Sequence, residues 1–169
     1  MGNDSIAKLL ADTTGLLIGA LPGVLFTIWK PVVASGAHVT AAVDAVVAHV
    51  GQAEQGRGKW AVLVGISAHV PLPGEDVREA VQREMRRLDP YLFCGATVIE
   101  RAGLGGVAQR SVVSTLQLLT RPKHPEKVFA DCDQAAEFIA EEAKRRELPP
   151  LDERKLVRAY LELSRRASA

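Results

Sequence analysis

The chain has 169 residues, 47% of them hydrophobic and 24% charged, which is enough for one domain with a real core and too few for two of ordinary size. With 21 basic against 20 acidic side chains the net charge is +1, so neither nucleic acid nor an anionic membrane is expected as the main partner. Two cysteines, Cys94 and Cys132, exclude a disulfide framework and have no cluster of ligands around them; both read as reduced thiols of a cytoplasmic protein.

Residues 1–11 read as a short polar-to-helical lead, with Ile6, Leu9 and Leu10 available to pack. Thr13 to Ala20 and Val24 to Lys30 are β-rich runs, and Leu21-Pro22-Gly23 between them supplies the turn residues of a hairpin. The apolar stretch from Leu16 to Trp29 is broken by Pro22-Gly23 and falls short of the roughly 20 residues a membrane span needs, so it belongs to the fold. Pro31 ends the second strand, and Ser35-Gly36 marks a loop. Val43, Val46, Val47 and Val50 then recur at helical spacing, a case where packing must override the β preference of valine.

Trp60 to Ser67 organises the rest of the chain. It is apolar on both faces, as a strand in the middle of a helix-covered sheet must be. A loop to Glu75 leads into a second amphipathic helix with Val77, Ala80, Val81, Met85 and Leu88 inward and Glu84 on the wet side. Glu75 and Asp76 in its first turn complement the helix dipole, and Asp89-Pro90 stops it. Phe93 to Ile99 is another strand, Gly103-Leu104-Gly105-Gly106 bends the chain into a third helix through Leu119, and Lys127 to Ala130 is a short strand. Asp131 with Gln134 reads as the N-cap of a fourth helix that carries Phe138 and Ile139 inward and Glu137, Glu141, Glu142, Arg145 and Arg146 outward. Leu148-Pro149-Pro150 is a linker, after which Asp152 caps a last, appended helix with Leu156, Tyr160 and Leu163 on its docking face.

The glycine-rich helix entry at Gly105, the Arg110-Ser111 pair, the strand Lys127-Val128-Phe129 and the helix start Asp133-Gln134-Ala135-Ala136 occur within this element order. Together they resemble STAS-like domains, the group that includes anti-sigma-factor antagonists, and above all a diffuse STAS-like group in soil bacteria, especially myxobacteria. The resemblance covers roughly residues 13–145 and rests on fold motifs. It implies an α/β STAS-like sandwich over residues 1–146, with a mixed sheet of about five strands and four helices, and an appended linker and C-terminal helix over 147–169. It also implies a non-enzymatic protein-interaction module in bacterial signalling or intracellular organisation. The implied partner is another protein, a second copy of the chain included, and no cofactor is called for. Phosphorylatable members carry an Asp-Ser-Ser/Thr-Gly motif where this chain has Pro73-Gly74-Glu75-Asp76, so no phosphoserine switch is expected there.

The binding surface expected from this reading joins the post-strand loop, with Ser67, His69, Glu75 and Asp76, to the turn with Gly103, Gly105, Gly106 and Arg110. Both lie at the carboxyl end of the sheet, where open α/β folds place their sites. The glycine turn is the best anion-site candidate and supports an alternative function, a small-molecule or nucleotide sensor, although it matches neither dinucleotide nor Walker spacing. Ser67 and His69 suggest a hydrolase pair, but residues two apart on an extended chain do not meet, and Gly-Ile-Ser-Ala-His is not a nucleophile elbow. His38, His49, His69 and His124 fall in separate elements, which argues against a metal site. Glu75, Asp76 and Glu79 are interleaved with Arg78, Arg83, Arg86 and Arg87, as on a solvated helix face. Trp29 and Trp60, at strand ends, are expected to seal the rim of the core.

Overall fold

The computed structural model describes residues 6–52, 56–100 and 122–169. Within them the chain runs β1 (Lys8–Asp12), β2 (Leu16–Leu21), β3 (Val24–Trp29), α1 (Gly36–Val50), β4 (Trp60–Ile66), α2 (Glu75–Leu88) and β5 (Leu92–Ile99). From residue 122 onward come β6 (Glu126–Phe129), α3 (Cys132–Arg145) and α4 (Glu153–Ala167). The six strands form one sheet in sequence order, with β1, β2 and β3 antiparallel and β3 to β6 parallel. The architecture is the α/β sandwich that the alternation of apolar runs predicts, with the hairpin turn carried by Gly23 at a φ of +82°.

Trp60–Ile66 lies between two parallel neighbours, β3 and β5, and five of its seven residues are buried. Right-handed crossovers put α1 and α2 on the same face of the sheet. Their core gathers Val39, Val43, Val46 and Val77 against Leu16, Ile18, Leu25 and Val62. The opposite face is covered by α3 and α4, around Phe26, Leu63, Phe138, Ile139 and Tyr160.

Four expectations change. The lead over residues 1–11 contains a sixth strand: Lys8–Asp12 pairs with β2 across a bulge between Leu9 and Ala11. A short edge strand needs only half-burial, and its ends are the exposed Lys8 and Asp12, charges of the kind that discourage edge-to-edge pairing. Ser35 begins a helix rather than a loop. Its hydroxyl accepts from the His38 N–H while His38 Nδ1 accepts from the Ser35 N–H, a capping box with histidine in the place of the usual Glu or Gln. Glu84 and Glu142, assigned to water by helical periodicity, are buried at 3% and 4% exposure.

Each buried carboxylate is matched. Glu84 accepts from Arg87 at 2.6 Å, Arg83 at 3.1 Å and Thr40 at 3.2 Å, which ties α2 to α1. Glu142 is held by Arg145 at 2.7 Å and by Arg146. Burial alone would raise the Glu84 pKa, but the hydrogen bonds from Arg87, Arg83 and Thr40 outweigh it and leave the carboxyl below its ordinary 4.5. A depressed carboxylate contributes stability above the unfolded pKa and loses it as pH falls through the folded value. Urea melts are therefore expected to show stability falling as pH drops below about 4.5, with a flatter acid limb in Glu84→Gln. Parallel curves for the two proteins would contradict the assignment.

The C-terminal helix is integral to the second layer. Leu156, Ala159, Tyr160 and Leu163 are each at most 2% exposed. Two strand glycines let it approach: a Cβ on Gly19 would stand 2.8 Å from Leu163 Cδ1, and one on Gly65 would stand 2.7 Å from Tyr160 Cε2.

Candidate functional site

Strands β3, β4 and β5 end together, because they are parallel and in register from Val24 and Ala61 to Trp29, Ile66 and Ile99. Three loops therefore leave the same edge, the position at which an open α/β sheet collects its ligands. A hollow lies on each side of this edge.

On the α4 side, an open cleft of about 610 Å³ brings together Trp29, Ser67, Glu100, Tyr160, Ser164 and Arg165. The Tyr160 hydroxyl donates to Glu100 Oε1 at 3.1 Å. Burial, and then the Glu100 charge, push the phenol above its ordinary pKa, so it remains a neutral donor. This pair anchors the helix to the end of β5.

On the α1/α2 side, a cavity with about 190 Å³ of accessible space lies between helices and sheet. Its origin is legible in side-chain size. Helix α1 presents Val39, Ala42, Val43 and Val46, α2 presents Val77 and Val81, and β3 to β5 answer with Thr27, Val64 and Thr97. Among the described residues, short side chains face one another across part of this layer and leave it unfilled. An apolar void costs about 24 cal/mol per Å³, so if it were fully closed this one would cost at most about 4–5 kcal/mol. The cavity opens between the β3–α1 loop and the β4–α2 loop, where Val32, Val33 and Leu72 stand at 40%, 80% and 54% exposure. Pro31 takes Val32 and Val33 out of the ladder, and Pro71 and Pro73 do the same for Leu72.

The expected site residues distribute around this edge. Ser67 is half-buried on the cleft, and its carbonyl accepts from Val70 N–H at 3.2 Å. His69 is exposed and makes no hydrogen bond with Ser67. Glu75 is exposed on the first turn of α2. Asp76 accepts from the Gly36 N–H at 3.0 Å, which makes it a tie between the starts of α2 and α1. Gly103, Gly105, Gly106 and Arg110 lie outside the described residues, as does the third helix.

Other candidates are structural. His124 is buried with Nε2 at 3.0 Å from Glu126 Oε1, and its Nδ1 sits 2.9 Å from Asp89 Oδ1 at ion-pair distance without hydrogen-bond alignment. It fastens β6 to the end of α2. Cys94 and Cys132 are free and buried, their thiols pushed up to about 12, mainly by desolvation, which makes them poor nucleophiles. Among the described residues no group of three His, Cys, Asp or Glu comes together to hold a metal, and no helix is long and apolar enough to cross a membrane. Trp29 and Trp60 are half-buried at strand ends, Trp60 with the His49 ring edge-on at 5.5 Å.

Compared with known proteins, the chain matches no family model, no curated protein and no solved structure.

Proposed function

We propose that this chain is a non-enzymatic, STAS-like binding domain, used in bacterial signalling or intracellular organisation, that holds another protein at the carboxyl end of its sheet. The observation that supports this reading is the gathering of Val32, Val33 and Leu72 at one mouth. They are three of the four large hydrophobic side chains left exposed among the described residues. Single exposed apolar residues need no explanation, whereas several gathered at one edge mark a contact surface. The neighbouring start of α2 supports the same reading. Its N-cap is Gly74, which offers no hydroxyl, and Asp76 is already occupied by α1. A partner would therefore be held by apolar contact rather than by a phosphate.

The paired change Val33→Asp with Leu72→Asp tests this, since both side chains are exposed and the fold tolerates polarity there. Cross-linking in the native host and sedimentation of the purified chain should show a complex that weakens by about tenfold or more in the variant, while the melting curve stays put. The same complexes, unchanged in the variant, would overturn the proposal.

A further inference from the structure

The cavity on the α1/α2 side asks for a smaller occupant than a protein. Its walls are Val43 and Val46 of α1, Val81 of α2, and Val62 and Val64 of β4, and its accessible space is about 190 Å³. Since an apolar cavity of about 150 Å³ takes benzene, this space suits by proportion about eight carbon atoms. The polar lining decides the other end of the ligand. Glu84 is satisfied by Arg83, Arg87 and Thr40, and Glu126 faces His124. Arg78 also lines the hollow, one turn into α2 beside the Pro73-Gly74 lip, exposed and with no ion pair among the described residues. Glu75 and Asp76 stand one turn earlier but do not line the cavity, and Asp76 is engaged by the Gly36 N–H. Apolar walls with a cation free at the mouth are complementary to an amphipathic anion.

We propose that the cavity binds a medium-chain carboxylate, aliphatic or aryl-terminated, with its tail between α1, α2 and the sheet and its carboxylate paired with the Arg78 guanidinium. The site shares its mouth with Val32, Val33 and Leu72, but its binding of a carboxylate does not rest on the protein-binding reading.

The test uses the full chain, with octanoate below its micelle concentration as the probe and octanol and acetate as controls, read by calorimetry and by thermal shift. Octanoate should bind saturably and raise the melting temperature, and acetate should do neither. Arg78→Gln should weaken octanoate by about three- to tenfold, as expected for an exposed charge-assisted pair, and leave octanol unchanged. Val43→Phe, which fills the space, should abolish binding of both. Val81→Phe, at a half-buried position with more room to adjust, serves the same purpose should the first variant fail to fold. Absence of saturable octanoate binding, undiminished binding by a folded cavity-filling variant, or equal weakening of octanoate and octanol by Arg78→Gln would each overturn the proposal.

Discussion

A chain ended at Pro149 is expected not to fold. The deletion removes Leu156, Tyr160 and Leu163, each at most 2% exposed, from the cluster that also holds Leu17, Phe26 and Ile28 of the hairpin. Burial of a large apolar side chain contributes about 1.5–3 kcal/mol, so three of them come to roughly 6 kcal/mol, comparable with the whole margin of about 5–15 kcal/mol by which a domain is stable. Far-UV circular dichroism with thermal melting of the shortened chain is the measurement. Loss of the cooperative transition is the expected result. A transition close to that of the full chain would show that α4 is an arm for a partner, and that the hairpin face is covered in some other way.

Gly65→Val is expected to destabilise the domain by about 3 kcal/mol or more, the upper range for overpacking a core. A Cβ at this position would stand 2.7 Å from Tyr160 Cε2, 3.0 Å from Tyr160 Oη and 2.9 Å from Ile28 Cδ1. The strand cannot yield, because β3 and β5 hold it on both sides. The ring must yield instead, and it loses its hydrogen bond to Glu100 as it does so. Tyr160→Ala alone should cost about 3–5 kcal/mol through the space it leaves. In the double variant the added methyls occupy part of that space, so the two losses should sum to less than additivity. Urea denaturation of the two single variants and the double variant measures this, and strictly additive losses would refute the contact.

These two results depend on features the sequence shows unevenly. The centre of the sheet is legible because Trp60–Ile66 is apolar at every position except Gly65, a pattern that only burial on both faces explains. The hairpin, α2 and the caps Asp131 and Asp152 are legible because each is a local signal: a turn, a stripe, a side chain reaching three residues ahead. The edge strand β1 is not, since its five residues are stabilised by pairing with β2 rather than by any pattern of their own. Glu84 and Glu142 mislead for the opposite reason. Periodicity sorts residues by polarity, and a carboxylate buried under two arginines obeys its partners instead.

The candidate site follows the same division. Its position at the carboxyl edge can be read from the order of elements, and Ser67 lies there. Leu72 falls inside the expected post-strand loop and Arg78 on what reads as a solvated helix face, whereas Val32 and Val33 carry no expectation of a site, although large apolar residues set into loops by Pro31, Pro71 and Pro73 are a signal open to inspection. The hollow itself is a matter of volumes on facing surfaces, which one element at a time does not reveal. The Glu100–Tyr160 contact joins residues sixty positions apart and has no local trace.

The reliance of β2 and β3 on α4 also sets an order of events in the cell. The strands that leave the ribosome early cannot bury their second face until the helix encoded far downstream has emerged. Contacts of such long sequence separation form slowly, and until they do the nascent hairpin presents bare aliphatic surface. Synthesis of this domain is thus expected to depend on chaperones that shield the early strands until translation has passed residue 167.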